Sequence, residues 1–324
     1  MSISTVSRTF TLGAIVEKQA RANILNAAQK LGYRPNAIAR TLSTRKSRMV
    51  ALVVSYLHNQ FYPTIIERLC KRRGLDEFHV LLFVSEDTIS TETQTDALLL
   101  DSLSYQVDAI ILASSLMSSK LAKRCRDSAT PVVMFNRISK LRGVSTVASD
   151  NYAGGQLAAR TLLSRGAKRL GFIAGLEQAS TSIERERGFK EELALRGRSM
   201  YARDIGHYDL LRSSEATRRL FNQKKRFPDG IFVANEYMAL GVVDVIRNNL
   251  GLRVPEDVQI IGFDNVPQSV WGGYQLSTIE QDAQAVSDAA MSLLMQQIGH
   301  ANRTQPKHIV VPIRLVERQT TLTD

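Results

Sequence analysis

Residues 49–71 read MVALVVSYLHNQFYPTIIERLCK, and this stretch sets the architecture. Met49–Val54 is an unbroken apolar run of strand length. Ile65, Ile66 and Leu69 then share one face of a helical pattern over residues 62–71. A strand that is apolar at every position is buried on both faces, and the helix that follows supplies a covering layer. The unit recurs. Apolar runs stand at 80–84, Ala109–Ala113, Val132–Phe135, 169–174, 230–234 and 258–263, with another short run at Val144–Ser149. Helical patterns occupy 151–165, 236–249 and 281–297. Strands alternating with helices predict an α/β fold with parallel sheets. Seven or more strands over about 270 residues predict two sheets, and so two lobes.

The first 48 residues differ. They hold no strand run. Residues 4–10 read as a short helix and 17–31 as a longer one, with Ile24, Leu25, Ala28 and Leu31 in one stripe. Gly32 and Pro35 stop it, and Asn36 is placed to cap a third helix over 37–42. The polar, basic run STRKSR at 43–48 has the composition of a linker, so a domain boundary is expected there.

Charge separates the same segment. The chain of 324 residues has a net charge of +11, and residues 1–48, with nine basic residues and only Glu17 acidic, hold +8 of it. A localised positive footprint points to a polyanion, nucleic acid before all others. A composition of 44% hydrophobic and 23% charged residues excludes a mainly disordered chain. Cys70 and Cys125 cannot build a disulfide framework. No apolar run is long enough to span a bilayer, and the N-terminus lacks the apolar core of a secretory signal. A cytoplasmic location with no membrane partner is the expectation.

Ligands of open parallel sheets bind beyond the carboxyl ends of the strands. The residues there are His58, Asn59, Phe61 and Tyr62; Ser85 and Glu86; Ser114 and Ser115; Asn136 and Arg137; Asp150; Asn235 and Glu236; Asp264 and Asn265. Carboxylates, amides and a planar guanidinium suit vicinal hydroxyls, and aromatic faces cover C–H surfaces, so a sugar-like ligand is indicated. The phosphate-binding loop, the serine-hydrolase elbow and the zinc-protease helix motifs are all missing, and the five histidines show no ligand spacing. We therefore expect no enzyme activity, no metal and no cofactor.

Several motifs resemble the LacI/GalR family of bacterial transcription regulators. Ser2-Ile3-Ser4-Thr5-Val6-Ser7-Arg8 resembles its recognition-helix signature, and Leu31-Gly32-Tyr33-Arg34-Pro35-Asn36-Ala37-Ile38-Ala39-Arg40-Thr41-Leu42 its hinge signature. Asp150-Asn151-Tyr152-Ala153-Gly154-Gly155, Arg185 with Gly188-Phe189, Ala234-Asn235-Glu236, Gly262-Phe263-Asp264-Asn265, Leu276-Ser277-Thr278-Ile279 and Pro312 through Leu315-Val316-Glu317-Arg318 follow in family order. The resemblance implies a helix-turn-helix headpiece with hinge helix at 1–48 and a two-lobed, periplasmic-binding-protein-like core. Its lobes would be 49–161 with 281–312, and 162–280 with 313–324.

The same resemblance assigns roles. Ile3, Ser4 and Arg8 would read base edges, Arg8 by a bidentate contact to guanine. Ser2, Thr5, Ser7, Tyr33 and Asn36 would contact phosphates. Ala39 and Leu42 belong to the hinge, Leu42 as a wedge in the minor groove. Asp150, Arg185, Asn235 and Asp264 would line the effector cleft, with Phe61, Tyr62, Tyr208 and Trp271 as its aromatic edges. A homodimeric, ligand-responsive regulator, in the main a repressor, binding operator DNA and a sugar-like effector, is the expected function. The alternative is a sugar sensor or solute-binding protein without competent DNA binding. The family's headpiece begins with a helix that this sequence lacks, so a helix encoded upstream is expected; a true truncation is the other reading. Without that helix, residues 2–10 are expected to fray.

Overall fold

The alternation becomes two six-stranded sheets in the computed structural model, which describes residues 2–10, 14–33, 47–55, 57–71, 78–85, 92–113, 116–139, 141–222, 226–298 and 305–323. The chain forms two compact units, Met1–Ser47 and Arg48–Asp324.

In the first unit, helix α1 spans Ile3–Thr9 and α2 spans Lys18–Lys30. Ser2 caps α1 by accepting from the Thr5 N–H at 3.2 Å. Phe10, just past the helix, lies 5.6 Å from the Tyr33 ring. These two contacts hold a helix that its length alone would leave marginal. Ile24 is buried on α2, and Gly32 ends that helix with a φ of +63°, a conformation that suits glycine.

In the second unit the first sheet contains β1 (Met49–Val54), β2 (His79–Val84), β3 (Ala109–Ala113), β4 (Val132–Phe135), β5 (Val144–Ser149) and β11 (His308–Val311), in the order β11-β5-β4-β3-β1-β2. All its pairings are parallel. The second holds β6 (Leu170–Ala174), β7 (Ala202–Ile205), β8 (Gly230–Val233), β9 (Gln259–Asp264), β10 (Ser277–Gln281) and β12 (Ile313–Val316), ordered β12-β10-β9-β8-β6-β7. Here only the β10–β12 pairing is antiparallel. The central strands are buried throughout, as their unbroken apolar runs require.

The intervening helices are α3 (Phe61–Lys71), α4 (Glu92–Ser104), α5 (Ser119–Asp127), α6 (Asn151–Ser164), α7 (Ser180–Leu195), α8 (Leu210–Leu220), α9 (Glu236–Asp244) and α10 (Ala283–Gln297). The chain leaves the first sheet after Ser149, returns to it with α10 and β11, and enters the second again at Ile313. Helix α6 packs on α7 and on β8, β9, β10 and β12, so the expected division at residue 161 cuts through a helix of the second lobe. Gln281, expected at the start of a helix, instead closes β10, because Asp282 caps α10 by accepting from the Ala285 N–H at 2.9 Å.

Two glycines make the α6–α7 packing. A Cβ on Gly155 would stand 2.0 Å from the Arg185 carbonyl oxygen, and one on Gly188 2.0 Å from that of Tyr152. The helices touch backbone to backbone, and this brings Asn151 to Arg185.

Candidate functional site

On α1, Ile3 is 91% exposed, and Ser2, Ser4, Ser7 and Arg8 are exposed beside it. Ser4 and Arg8 lie four residues apart, hence on one face. Thr5 is half-buried; the Ser2 hydroxyl lies 2.9 Å from its Oγ1 and 2.8 Å from that of Ser4. Tyr33 is exposed, with its ring against Phe10. Asn36, Ala39 and Leu42 lie outside the described residues.

In the second unit the strand ends converge on Asp264, the last residue of β9. Its side chain is 2% exposed. Its Oδ1 accepts from Gln281 Nε2 at 2.6 Å and its Oδ2 from Asn59 Nδ2 at 2.7 Å. Arg185 NH2 stands 3.9 Å away, an ion pair without a hydrogen bond, and its guanidinium lies 3.5 Å above the Phe263 ring. The remaining guanidinium donors go to Asn151 Oδ1 at 2.8 Å and to the Ala234 carbonyl. Burial pushes the Asp264 carboxyl upward, and Arg185, Asn59 and Gln281 pull it back toward ionisation.

Backbone strain gathers at the same place. Asp264 has a φ of +129°, Asn265 +61°, Asn136 +56°, His207 +56° and Tyr208 +59°. Such conformations cost on the order of 1–3 kcal/mol each and persist where surrounding packing dictates them.

Other expected residues take more local roles. Asn235 is buried and caps α9 through Oδ1, which accepts from the Met238 N–H at 3.0 Å. Asp150, half-buried, caps α6 through the Ala153 N–H at 2.9 Å. Tyr208 is buried with its hydroxyl 2.9 Å from Thr181 Oγ1, and Tyr62 accepts from Asn136 Nδ2 at 3.1 Å. Trp271 stands 54% exposed on the loop after Asp264. Glu236 is fully buried; its Oε2 accepts from the Val266 N–H and, at 2.6 Å, the Ser269 hydroxyl. Burial pushes its carboxyl up to about 7.

Several buried polar atoms along these strand ends have no hydrogen-bond partner: Asn136 Oδ1, Ser149 Oγ, Arg185 NH2, Asn235 Nδ2 and Gln281 Oε1. Buried polar groups are as a rule satisfied, so these atoms, drawn from the strand ends of both sheets and from α7, are the candidate ligand-facing groups. A cavity of about 370 Å³ meets this set only at Gln281; Asp264, Phe61, Thr64, Val266 and Pro267 also line it, whereas Asn136, Ser149, Arg185 and Asn235 do not. Asn151 and Gln281 escaped the reading of strand ends, Asn151 because it is a helix residue and Gln281 because its strand has no apolar run. Among the described residues no cluster of His, Cys, Asp or Glu is arranged to hold a metal. No described helix is long and apolar enough to cross a membrane.

Residues 159–321 match the family model of a periplasmic binding protein-like domain. The chain is similar to catabolite control protein A of Priestia megaterium, at 30% identity over 99% of this chain and 96% of that protein. Among solved structures it is similar to the transcriptional regulator CelR–cellobiose complex, at 25% identity and a TM-score of 0.75, covering 98% of this chain and 95% of that one. The Lac repressor dimer bound to operator and the anti-inducer ONPF shares the fold, with a TM-score of 0.87 at 22% identity, over 100% of this chain and 96% of that one.

Proposed function

This chain belongs to the LacI/GalR family of transcription regulators, and from that premise we propose how its two units divide the work. The chain is a ligand-responsive, DNA-binding regulator of the repressor type. Its basic first unit binds duplex DNA, with Ile3, Ser4 and Arg8 toward base edges and the hydroxyls of Ser2, Thr5 and Ser7 with Tyr33 and Asn36 toward phosphates. Ala39 and Leu42 act in the hinge. Its second unit takes a small polar effector, sugar-like in its hydroxyl pattern, and no chemistry is done on it. The working form is a cytoplasmic homodimer.

The observation that carries the ligand reading is the buried strand-end set. Asp264 is an acceptor, Asn235 Nδ2 and Arg185 NH2 are donors without a hydrogen-bond partner, NH2 being ion-paired to Asp264, and Asn136 Oδ1 and Gln281 Oε1 are acceptors without one. A polyhydroxylated molecule satisfies donors and acceptors at once, since each hydroxyl is both. Phe61, Tyr62, Tyr208 and Trp271 supply aromatic surface, and Asp150 closes the edge. Ligand-driven movement of the lobes would change the spacing of the two hinges, with a coupling on the order of 1–3 kcal/mol.

The test is a thermal-shift screen of the full chain against sugars, sugar acids, nucleosides and phosphorylated sugars. The proposal expects at least one neutral sugar to raise the melting temperature in a concentration-dependent way. Stabilisation by none of the four classes would contradict the cleft assignment.

A further inference from the structure

Asn59 and Asp264 are 205 positions apart, in different lobes, yet share a hydrogen bond of 2.7 Å in which both residues are 3% exposed. We propose that this bond is a latch: it ties the two lobes together across the cleft, and the Asn59 amide occupies the place on Asp264 that a ligand hydroxyl must take. The second half rests on the ligand reading above; the latch does not.

The amide is oriented from both ends. Its Oδ1 accepts from the Phe61 N–H at 3.0 Å, at the start of α3, so Nδ2 is the atom that faces Asp264. Asp264 is equally constrained, with Gln281 on its other oxygen and a strained backbone beneath it. Nothing in either residue has to reorganise for the bond to form, which makes it a specific closing contact.

Among the described residues the lobes also share one buried apolar cluster, a ring contact and a further hydrogen bond. The His58 ring lies 6.2 Å from the Tyr237 ring of α9, inclined by 15°. The Ile138 N–H donates to Ser180 Oγ at 3.1 Å. His58 and Ile138 are exposed, so water competes for both contacts and each holds the lobes weakly. The Asn59–Asp264 bond is buried, so water does not compete for it. It is therefore the strongest of these three contacts across the cleft. A ligand enters by offering a donor in place of the amide, and a molecule without one leaves the latch intact. This makes Asn59 a specificity-determining residue of the cleft.

The experiment is hydrogen exchange on the full chain without ligand, reading the backbone amides of residues 264–270 and of 136–138. Asn59→Asp keeps the acceptor for the Phe61 N–H and sets a second carboxylate against Asp264. It should speed exchange in both segments about tenfold or more while α3 is unchanged. The double variant N59D/D264N exchanges donor and acceptor across the same gap and should return the rates to within about threefold of the parent. Rates unchanged in N59D, or a double variant as open as N59D, would overturn the latch. If N59D fails to fold, N59A must show the same acceleration in 264–270; parental rates there sink the proposal. Because no ligand is added, failure here is separate from failure of the sugar screen.

Discussion

Arg185 holds Asp264 at 3.9 Å, with both side chains 2% exposed and the guanidinium stacked on the neighbouring Phe263. One arginine thus ties the end of β9 to Asn151 at the start of α6 and to the carbonyl of Ala234 just past β8. Removing it leaves a buried carboxylate without its counter-charge. Arg185→Ala should lower the unfolding free energy by about 3–5 kcal/mol, read by urea denaturation. R185A/D264N should recover part of that loss. A double variant that merely adds the two single losses would deny the coupling.

The close helix crossing gives a sharper packing test. Gly155→Ala and Gly188→Ala each force a methyl against a backbone carbonyl and should cost about 1–3 kcal/mol or more. Gly272, where an added methyl would meet no atom within 4 Å, is the control. G272A should leave the melting temperature within about one degree. Equal effects at all three positions would mean the helices do not touch as described.

Glu236 makes stability depend on pH near neutrality. Burial raises its carboxyl from 4.5 to about 7, so folding takes up a proton between those values. The contribution is complete below about 4.5 and is lost as pH rises through about 7, at up to about 1.4 kcal/mol per pH unit. Asp264 is raised as well and acts in the same sense. Asp204, Glu186 and Glu280, held low by arginine or lysine partners, act in the opposite sense at more acid pH. Glu236→Gln should flatten the slope between pH 5 and 7, measured by urea midpoints. An unchanged slope would place the titration elsewhere.

For the first unit, Arg8→Ala should relax specificity at one base pair by about 1–3 kcal/mol and leave the thermal shift by ligand unaltered. Anisotropy titrations on single-base variants of a bound duplex read the first quantity. A uniform loss across all variants would recast Arg8 as a phosphate contact.

Much of this was legible from residue order. Met49–Val54, Ala109–Ala113 and Val132–Phe135 are strands at the expected bounds, because unbroken apolar runs leave a buried parallel strand few alternatives. Strands β7, β10, β11 and β12 escaped. Ala202–Ile205 carries Arg203 and Asp204, Ser277–Gln281 opens on two hydroxyl residues and carries Glu280, and the other two are four residues long on either side of Pro312, so none shows an unbroken apolar run of strand length. The helical pattern at 236–249 holds, but its last turn, Val245–Asn249, widens into a π-helix. Asp264 and Arg185 were legible as strand-end and motif residues. That Asn59 reaches Asp264 was not, because the contact depends on how two sheets face each other and no local pattern encodes that.

The central claim is that one unit grips duplex DNA and the other governs that grip through a small molecule. Its most direct test is selection of the full-length gene product against a random-duplex pool, repeated with the sugar that most stabilises the protein. The account predicts a two-fold symmetric sequence enriched in one condition and bound at least about tenfold more weakly in the other. No enriched sequence in either condition, or one whose affinity ignores the sugar, would contradict it.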